Sequence, residues 1–365
     1  MTILMLSWRG PGHSLAAGAE QATWAHAKGW VRAGHQITLF TSVFPNCKPR
    51  ERVDGIDIIR QGIDIFGVHL SACWWYLFGS HPKFDLVVDE FHGVPFFTPL
   101  YVRVKKLGFI HEVAQKVWSL NPWPKPFNLI PAIIGKIGEP LVFKLLYRQI
   151  PFMTVSESTK QDLQHFGIKN ITVVYNGVNL PDKLPHVSKE KVFTIIYLSA
   201  LAKDKGVEDA IKAFNLINQS IPNSQFWIVG KGEPVYVKYL HSLSPQATFF
   251  GYVSEQTKFE LLSKAHILIF PSVHEGWGLV ILEAASVGTP VIAYRVSGVK
   301  DAVVNGKTGL LSSQTNPESL ARLAIQTKAN PALYKKMQNE GKIWSQKFRW
   351  HKSQKLSLKL IEGLV

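Results

Sequence analysis

The chain has 365 residues, of which 46% are hydrophobic and 18% are charged. This length exceeds the size at which a single hydrophobic core usually stops growing, so we expect two globular domains of similar size. The two cysteines, Cys47 and Cys73, are too few for a disulfide framework and lack the spaced partners of a structural zinc site. A net charge of +15 favours anionic partners: nucleic acid, an acidic membrane face or phosphorylated small molecules.

The N-terminus begins with a short apolar run, Thr2 to Leu6, with no basic region before it and no small-residue cleavage site after it. This run is predicted to be a buried first strand rather than a signal peptide, which indicates a cytoplasmic protein. No stretch reaches the roughly 20 apolar residues that cross a bilayer, because prolines and charged residues interrupt the run from Leu129 to Leu146. Any membrane contact is therefore expected to be peripheral, at the cytoplasmic face.

Short β-rich runs alternate with helical patterns along the first half of the chain, which argues for a parallel sheet with crossover helices. A helix is predicted over about Ala19–Ala33, after the first strand. The predicted strands are Thr2–Leu6, Ile37–Thr41, Ile56–Arg60, Leu86–Val88, Phe109–His111, Met153–Val155 and Thr172–Tyr175.

A second α/β series follows the Asn176-Gly177 turn and the Pro-containing stretch from Leu180 to Pro185. Its predicted strands are Phe193–Leu198, Gln225–Val229, Thr248–Phe250, Ile267–Phe270, Val291–Ala293 and Gly309–Leu311. Its predicted helices lie near Val207–Asn218, Glu255–Lys264, Leu279–Ser286 and Pro317–Gln326, and a terminal helix spans Trp350 to Leu364. We therefore expect domains at residues 1–178 and 179–347, with a helix of about 348–365 that packs back on the first. Ligands of open α/β sheets sit outside the carboxyl ends of the strands, which places the predicted active site between the two domains.

The most informative segment runs from His274 to Ala284, directly after the predicted strand Ile267–Phe270. It places Glu275 in a glycine-bracketed turn and Glu283 inside a helix that starts near Gly278. The N–H groups and the dipole of such a helix start form an anion site suited to a diphosphate, and the carboxylates can accept hydrogen bonds from sugar hydroxyls. Taken alone, this segment also fits two acidic residues that merely complement a helix N-terminus or face solvent.

The segment resembles the E-x7-E motif of glycosyltransferase family 4, and the resemblance extends over nearly the whole chain. The family consists of retaining enzymes with the GT-B fold, in which two Rossmann-like domains face each other across a cleft. The resemblance implies that Glu275 contacts the donor sugar and that Glu283 contacts the ribose of the nucleotide. It also implies that the backbone around Gly276, Trp277, Gly278 and Leu279 approaches sugar and phosphate.

A second segment, Tyr197 to Val207, looks like the family's G-R-L-x-x-x-K-G stretch, in which an Arg and a Lys neutralise the departing diphosphate. Lys205 matches the family Lys, whereas Ser199 and Ala200 replace the usual Gly-Arg. Lys203 is a candidate for the missing charge, and a surface lysine is the alternative interpretation.

Four further stretches match the family more weakly. Small residues that include Ala17 and Gly18 resemble its G-G-A-E loop, where the backbone approaches donor phosphates and acceptor. By the same resemblance, Gly230, Tyr252 and Val253 lie at strand ends near the base, and His111 approaches the transferred sugar. Asp89 and Glu90, after the strand Leu86–Val88, are candidate acceptor-binding carboxylates. The small residues at Ala17 and Gly18, the strand ends at Gly230, Tyr252 and Val253, and His111 could also have a purely structural role.

The sequence contains no D-x-D pair in a strand-end context, so we expect neither an essential Mg²⁺ or Mn²⁺ ion nor another cofactor. The resemblance implies a UDP- or GDP-linked sugar donor, a glycan or lipid-linked acceptor, and a role in cell-envelope polysaccharide or glycolipid synthesis. Retention could come from front-face attack or from double displacement, and front-face attack is preferred because no residue stands out as a nucleophile. An epimerase on the same fold and a non-catalytic sugar-nucleotide binding protein remain alternatives. No helix-turn-helix or RNA-binding motif supports nucleic acid as a partner.

The segment from residue 101 to residue 148 carries eight Lys and Arg side chains against two Glu. Apolar residues are interleaved with these charges: Trp118, Trp123, Phe127, Ile133, Ile134 and Phe143. Basic amphipathic surfaces with aromatic residues bind anionic interfaces, so we expect weak and salt-sensitive contact with acidic membranes. The alternative is that these apolar residues belong to the core.

Overall fold

The computed structural model describes residues 1–13, 16–63, 66–91, 93–120, 126, 129–181, 185 and 187–365. The chain forms two compact units. The first contains Met1–Gly177 together with Trp350–Val365, and the second contains Val178–Arg349. Across the described ranges, no helix is both long enough and apolar enough to cross a bilayer.

The first unit is built on an eight-stranded sheet in the order β3-β4-β2-β1-β5-β6-β7-β8. All neighbouring strands are parallel except β3 and β4, which form an antiparallel edge pair. The strands are β1 (Thr2–Leu6), β2 (Gln36–Thr41), β3 (Arg50–Val53), β4 (Ile56–Arg60), β5 (Leu86–Phe91), β6 (Lys105–Ile110), β7 (Phe152–Thr154) and β8 (Ile171–Val173).

Five helices of the first unit connect these strands: α1 (Gly18–Arg32), α2 (Phe66–Phe78), α3 (Thr98–Tyr101), α4 (Leu129–Val142) and α5 (Glu157–His165). A 3-10 turn (Gln115–Leu120) precedes α4, and a π-helical turn (Phe143–Tyr147) follows it. The β1–α1–β2 crossover runs in the opposite direction to the crossovers through α2, α3 and α4. Because such crossovers are right-handed, α1 lies on one face of the sheet and α2, α3 and α4 lie on the other.

The second unit is a six-stranded parallel sheet in the order β11-β10-β9-β12-β13-β14. Its strands are β9 (Thr194–Leu198), β10 (Gln225–Val229), β11 (Thr248–Gly251), β12 (Ile267–Phe270), β13 (Val291–Tyr294) and β14 (Gly309–Ser312). Its helices are α6 (Val207–Ser220), α7 (Pro234–Leu243), α8 (Glu255–Lys264), α9 (Leu279–Ser286), α10 (Val299–Ala302), α11 (Pro317–Ala329) and α12 (Pro331–Ser345). A 3-10 turn (Lys203–Lys205) precedes α6.

The last helix, α13 (Trp350–Glu362), returns to the first unit and packs on α1. Ser357 contacts both His26 and Trp30, at 2.9 Å and 3.0 Å between the heavy atoms. A Cβ at Gly29 would come within 2.7 Å of the Gln354 side chain, so α1 has no room for a larger residue there. The terminal segment therefore completes the first unit, with a polar contact buried between two helices.

Several elements differ from the sequence-based expectation. Helix α2 was not predicted, because its sequence is apolar on nearly every side and shows no amphipathic period. Helix α4 was not predicted either, because Pro131 and Pro140 suggested a broken run. The predicted strand Phe109–His111 is in fact Lys105–Ile110, and His111 follows its last residue. Strand β3 and helices α3, α5, α7, α10 and α12 were also missed.

Candidate donor site and its partner residues

The second unit has a topological switch point at its first strand. From β9 the chain crosses to β10 and β11 on one side, and it then returns to β12 on the other side of β9. In open α/β sheets, the loops that leave the carboxyl ends of two such strands diverge and open a ligand-binding crevice. Here those loops are residues 199–206 and 271–278, so both family-like segments meet at one edge of one sheet.

Lys205 and Glu275 form an ion pair at this edge. The Lys205 Nζ donates to Glu275 Oε1 at 2.8 Å and lies 3.7 Å from Asp204 Oδ2. The two paired side chains are 22% and 14% exposed, so an incoming ligand can still reach them. Gly206 has φ +70°, and a Cβ there would lie 2.1 Å from the Pro271 carbonyl oxygen. The glycine therefore permits the close approach of the two loops that brings the ammonium and the carboxylate together.

Helix α9 begins at Gly278, which adopts a left-handed conformation with φ +78°. Among the residues that the structure describes, no side chain caps this helix start with a hydrogen bond. A neighbouring loop packs tightly against the preceding turn, since a Cβ at Gly298 would lie 2.2 Å from the Glu275 carbonyl oxygen. The predicted helix start is therefore found, and its backbone N–H groups form a rigid, partly exposed positive pole beside the Lys205–Glu275 pair.

Of the residues predicted in this turn, Gly276 and Trp277 are buried and Leu279 is half-buried. The Trp277 side chain is 3% exposed and packs edge-on against Phe348. The indole anchors the turn in the core of the second unit. Because the Trp277 side chain is buried, its backbone is the part that can contact a ligand, as the family resemblance implies.

Glu283 lies in the second turn of α9 and is buried at 6% exposure. Its Oε1 accepts from Lys258 Nζ at 2.7 Å, and Lys258 also pairs with Glu255 at 2.8 Å. Burial raises the pKa of Glu283, and the Lys258 charge opposes that rise. Burial alone would lower the pKa of Lys258, but the two carboxylates outweigh it and raise that pKa, so the lysine carries its charge at neutral pH. Among the described residues, Glu283 Oε2 has no hydrogen-bond partner.

Lys258 was not identified from the sequence. Its only local signal is the Glu255-x-x-Lys258 spacing on α8, which is common on solvated helices. The contact with Glu283 is tertiary and arises because α8 packs against α9. No pattern within one segment could have revealed it.

The carboxyl ends of β10 and β11 border an open pocket of about 590 Å³. Gly230, Lys231, Pro234, Gly251 and Tyr252 are among the residues that line it. A Cβ at Gly230 would lie 1.8 Å from the Ser199 carbonyl oxygen, which requires glycine at this position. The Tyr252 ring is largely exposed, with the Lys231 ammonium 4.6 Å from its centroid.

Val253 behaves differently from Tyr252. It is half-buried and packs on the core beneath α8 and α9. Of the two residues predicted together after β11, Tyr252 lines the pocket and Val253 packs against the core.

Lys203 is exposed, and no ion pair of its ammonium is found in the part of the chain that the structure describes. Ala200 is exposed as well, and its carbonyl oxygen accepts from the Tyr197 hydroxyl at 2.9 Å. The carbonyl is thus engaged in the loop while the methyl group faces outward. Lys205 is accordingly the residue of this loop that is fixed at the switch point.

In the first unit, His111 follows β6 at the carboxyl edge of the sheet. Its Nε2 lies 3.2 Å from Glu90 Oε1, and Thr23 of α1 donates to the same carboxylate oxygen. Glu90 is only 1% exposed, so it orients the imidazole rather than reaching the surface itself. Its predicted role as a direct acceptor ligand is not supported by this burial.

The structure also contradicts an acceptor-binding role for Asp89. The residue is fully buried, and it accepts hydrogen bonds from the backbone N–H of Phe96 and Thr98, the Thr98 hydroxyl and the Tyr147 hydroxyl. Burial raises its pKa, and these donors oppose the rise. Asp89 therefore holds the loop after β5 and the π-helical turn in place, because a buried carboxylate must be saturated with donors.

Ala17 and Gly18 lie at the start of α1. Ala17 is exposed, and its N–H donates to Glu20 Oε2 at 2.7 Å. Arg9 approaches the other oxygen of Glu20 at 3.7 Å. Leu15, the first residue of the stretch that resembles the G-G-A-E loop, lies outside the described residues. The small residues leave the backbone at this helix start accessible, which is the property that the sequence resemblance requires.

Two family models match the chain, one to each half. Residues 16–181 match "Glycosyltransferase Family 4", and residues 181–344 match "Glycosyl transferases group 1". The protein is a family 4-like glycosyltransferase. Its two parallel α/β units are those of the GT-B fold.

Among curated proteins, this glycosyltransferase is 29% identical over 300 residues to glycogen synthase of Mycobacterium tuberculosis. The match covers 76% of this chain and 66% of that enzyme, so the chain spans less than two thirds of its length. Among solved structures, sucrose-phosphate synthase of Thermosynechococcus elongatus has a TM-score of 0.81 at 18% identity, over 100% of this chain and 98% of the other. Anabaena HepE in complex with UDP-glucose has a TM-score of 0.73 at 17% identity, over the full length of both.

No group of three or more His, Cys, Asp or Glu side chains that could hold a metal ion is found within the described ranges. Two lysines and one helix start are the positive groups around Glu275 and Glu283. Together they form the candidate donor site.

Proposed function

We propose that this glycosyltransferase binds a nucleoside diphosphate sugar on its second unit and transfers the sugar with retention of anomeric configuration, without a metal ion. The observation that carries the proposal is the pair Lys205–Glu275 beside the start of α9, at the switch point of the sheet. A cation and a helix N-terminus recognise a diphosphate, and an adjacent carboxylate recognises sugar hydroxyls.

Each part of the donor has a proposed partner. The diphosphate lies at the start of α9 and takes Lys205 away from Glu275, so that the released carboxylate can accept hydrogen bonds from the sugar. Glu283 Oε2, a buried acceptor without a partner among the described residues, accepts from a ribose hydroxyl. The base occupies the pocket beside Gly230 and stacks on the exposed ring of Tyr252.

The reaction is proposed as a front-face displacement. The bond between the anomeric carbon and the diphosphate oxygen breaks, and a bond from that carbon to the acceptor oxygen forms on the same face. The acceptor proton passes to the departing phosphate oxygen, so no separate base and no covalent enzyme intermediate is needed. Lys205 and the α9 N-terminus stabilise the negative charge that develops on the leaving group.

His111 is proposed to contact the transferred sugar. Glu90 lies 3.2 Å from its Nε2, which fixes the orientation of the ring at the carboxyl edge of the sheet. The acceptor is proposed to be a glycan or a lipid-linked glycan. UDP-sugars are the first donors to test, because HepE was solved with UDP-glucose.

The test is calorimetric binding of UDP, GDP, ADP and their sugars, followed by turnover of the donor that binds. Glu283→Ala should weaken donor binding, and Glu275→Gln should lower turnover while nucleotide affinity stays within about threefold. The exposed Glu340 on α12, changed to Gln, is the matched control. Wild-type binding and turnover in both site variants would contradict the proposed roles. Loss of turnover on prolonged chelation with EDTA would contradict metal independence.

A further inference from the structure

The first unit carries apolar side chains on its surface along the outer side of α2. Phe66, Leu70, Trp74, Leu77 and Phe78 follow one another at helical spacing and are between 49% and 73% exposed. The opposite side of α2 is buried through Val68, Ala72 and Trp75. A surface helix normally presents polar residues to water, so a helix that is apolar on both sides is expected to have a second apolar environment.

Helix α4 has the same property. Ile133, Ile134, Ile137 and Leu141 lie on its outer side and are between 47% and 64% exposed. Its inner side is fixed by Glu139, which accepts from the Ala114 and Gln115 N–H groups and from the Trp118 indole N–H. These contacts determine which side of α4 faces outward. The exposed isoleucines therefore follow from how the helix packs.

The two helices lie on the same face of the sheet. Val87 of β5 packs with α2, and Phe91, four residues further along the same strand and therefore on the same side, packs with the turn after α4. Short helix α3 lies between them, contacts both α2 and that turn, and adds Leu100 at 60% exposure. We refer to the outer sides of α2, α3, α4 and the π-helical turn as the apolar face.

The charged residues of the apolar face are basic. Lys136, Lys144 and Arg148 are exposed on α4 and just after it. Within α2, α3, α4 and the π-helical turn, the only acidic residue is Glu139, and it is buried. Two copies of this chain docked through the face would bring like charges together, which disfavours a dimer. An anionic bilayer offers both apolar chains and negative headgroups. The apolar side chains of the face match the chains, and its basic side chains match the headgroups.

We propose that the apolar face docks on an anionic membrane, with α2 and α4 both inserted into the headgroup boundary. The proposal is independent of the donor chemistry in the second unit. The sequence had indicated membrane contact only for the basic segment from residue 101 to residue 148. The proposal adds α2, a helix that was not predicted from the sequence. Trp123 and Phe127 of that segment lie outside the described residues, and Phe143 is buried in the core rather than exposed.

The test is co-sedimentation of the full chain with vesicles of phosphatidylcholine alone or mixed with phosphatidylglycerol, at low and high salt. Leu70→Gln/Trp74→Gln on α2 and Ile133→Gln/Ile137→Gln on α4 should each weaken binding by about tenfold or more. Leu356→Gln is the matched control, since Leu356 is 51% exposed on α13, which packs on the opposite face of the same unit. It should bind as the wild type does.

Lys136→Gln/Lys144→Gln should lower binding to the anionic vesicles and flatten its salt dependence, while leaving any binding to phosphatidylcholine unchanged. All substituted side chains are exposed, so circular dichroism and thermal unfolding should match the wild type. Wild-type binding in both the α2 and the α4 variant, or no binding of the wild type at low salt, would overturn the proposal. Vesicle-free self-association that these same variants abolish would overturn it in favour of a dimer.

Discussion

Replacing Lys205 with Ala tests how the candidate site binds a diphosphate. In the unliganded protein the ammonium is held by Glu275 at 2.8 Å and by Asp204 at 3.7 Å. Its removal deletes one charged hydrogen bond to the ligand and also leaves two carboxylates near the incoming phosphates. A hydrogen bond to a charged group contributes about 1.5–3 kcal/mol. The partial exposure of the pair reduces this through solvent screening, so the lower half of that range is expected.

The expected result is a rise of about tenfold in the dissociation constant of the cognate nucleoside diphosphate, measured by titration calorimetry. Lys203→Ala should change it by less than about twofold, because that side chain is exposed and makes no ion pair among the described residues. Ala200→Arg should tighten binding by a few-fold, since the exposed methyl leaves space for the longer side chain beside the same loop.

The double variant Lys205→Ala/Glu275→Gln separates the two contributions of Lys205. If repulsion from the bared Glu275 carboxylate weakens binding, the second substitution should recover part of the affinity. Unchanged affinity in Lys205→Ala would contradict the proposed diphosphate position, because the diphosphate would then lie elsewhere. Equal losses in Lys203→Ala and Lys205→Ala would show that Lys203 has taken the role of the absent family Arg.

Three further predictions concern buried groups. Lys258→Ala should lower the free energy of unfolding by about 3 kcal/mol in urea titrations, because it bares the buried Glu283; Lys258→Met/Glu283→Gln should recover most of that loss. Asp89→Asn should cost about 3 kcal/mol of stability without altering nucleotide affinity, since an amide cannot accept from all its present donors; affinity loss would contradict the structural role. Burial first, and then the His111 charge, lowers the pKa of His26 to about 3. The unfolded chain therefore binds the extra proton between about pH 6.5 and pH 3, so stability should fall as pH drops through that window. The drop should be smaller in His26→Gln, and an equal drop would refute this assignment.

The fold was largely predictable because both halves alternate short buried strands with helices, and because Asn176-Gly177 marks the junction. The exceptions have physical causes. Helix α2 lacks an amphipathic period because one of its sides faces the core while the other exposes apolar residues to the surface. Helix α4 tolerates Pro131 in its first turn, where the missing N–H has no intrahelical partner to lose.

The candidate site was predictable where one segment carries the chemistry. The turn at Glu275 and the helix with Glu283 follow from the strand and the glycines around them, whereas Lys205 was identified because the loop after β9 resembles a family stretch. Lys258 and Thr23 could not be found in this way, because each contacts its carboxylate across more than 20 residues of sequence. Asp89 failed as an acceptor ligand for the same reason: the Tyr147 and Thr98 groups that saturate it are supplied by packing.

The proposed retaining transfer is tested most directly with water as the acceptor. The donor sugar that binds in the calorimetric screen is incubated with the protein, and the anomer first released is identified by proton NMR before mutarotation. For an α-linked donor, the proposed mechanism predicts the α-sugar as the first product, formed in the presence of EDTA and strongly reduced in Glu275→Gln. First release of the β-sugar, or release that Glu275→Gln leaves unchanged, would contradict it.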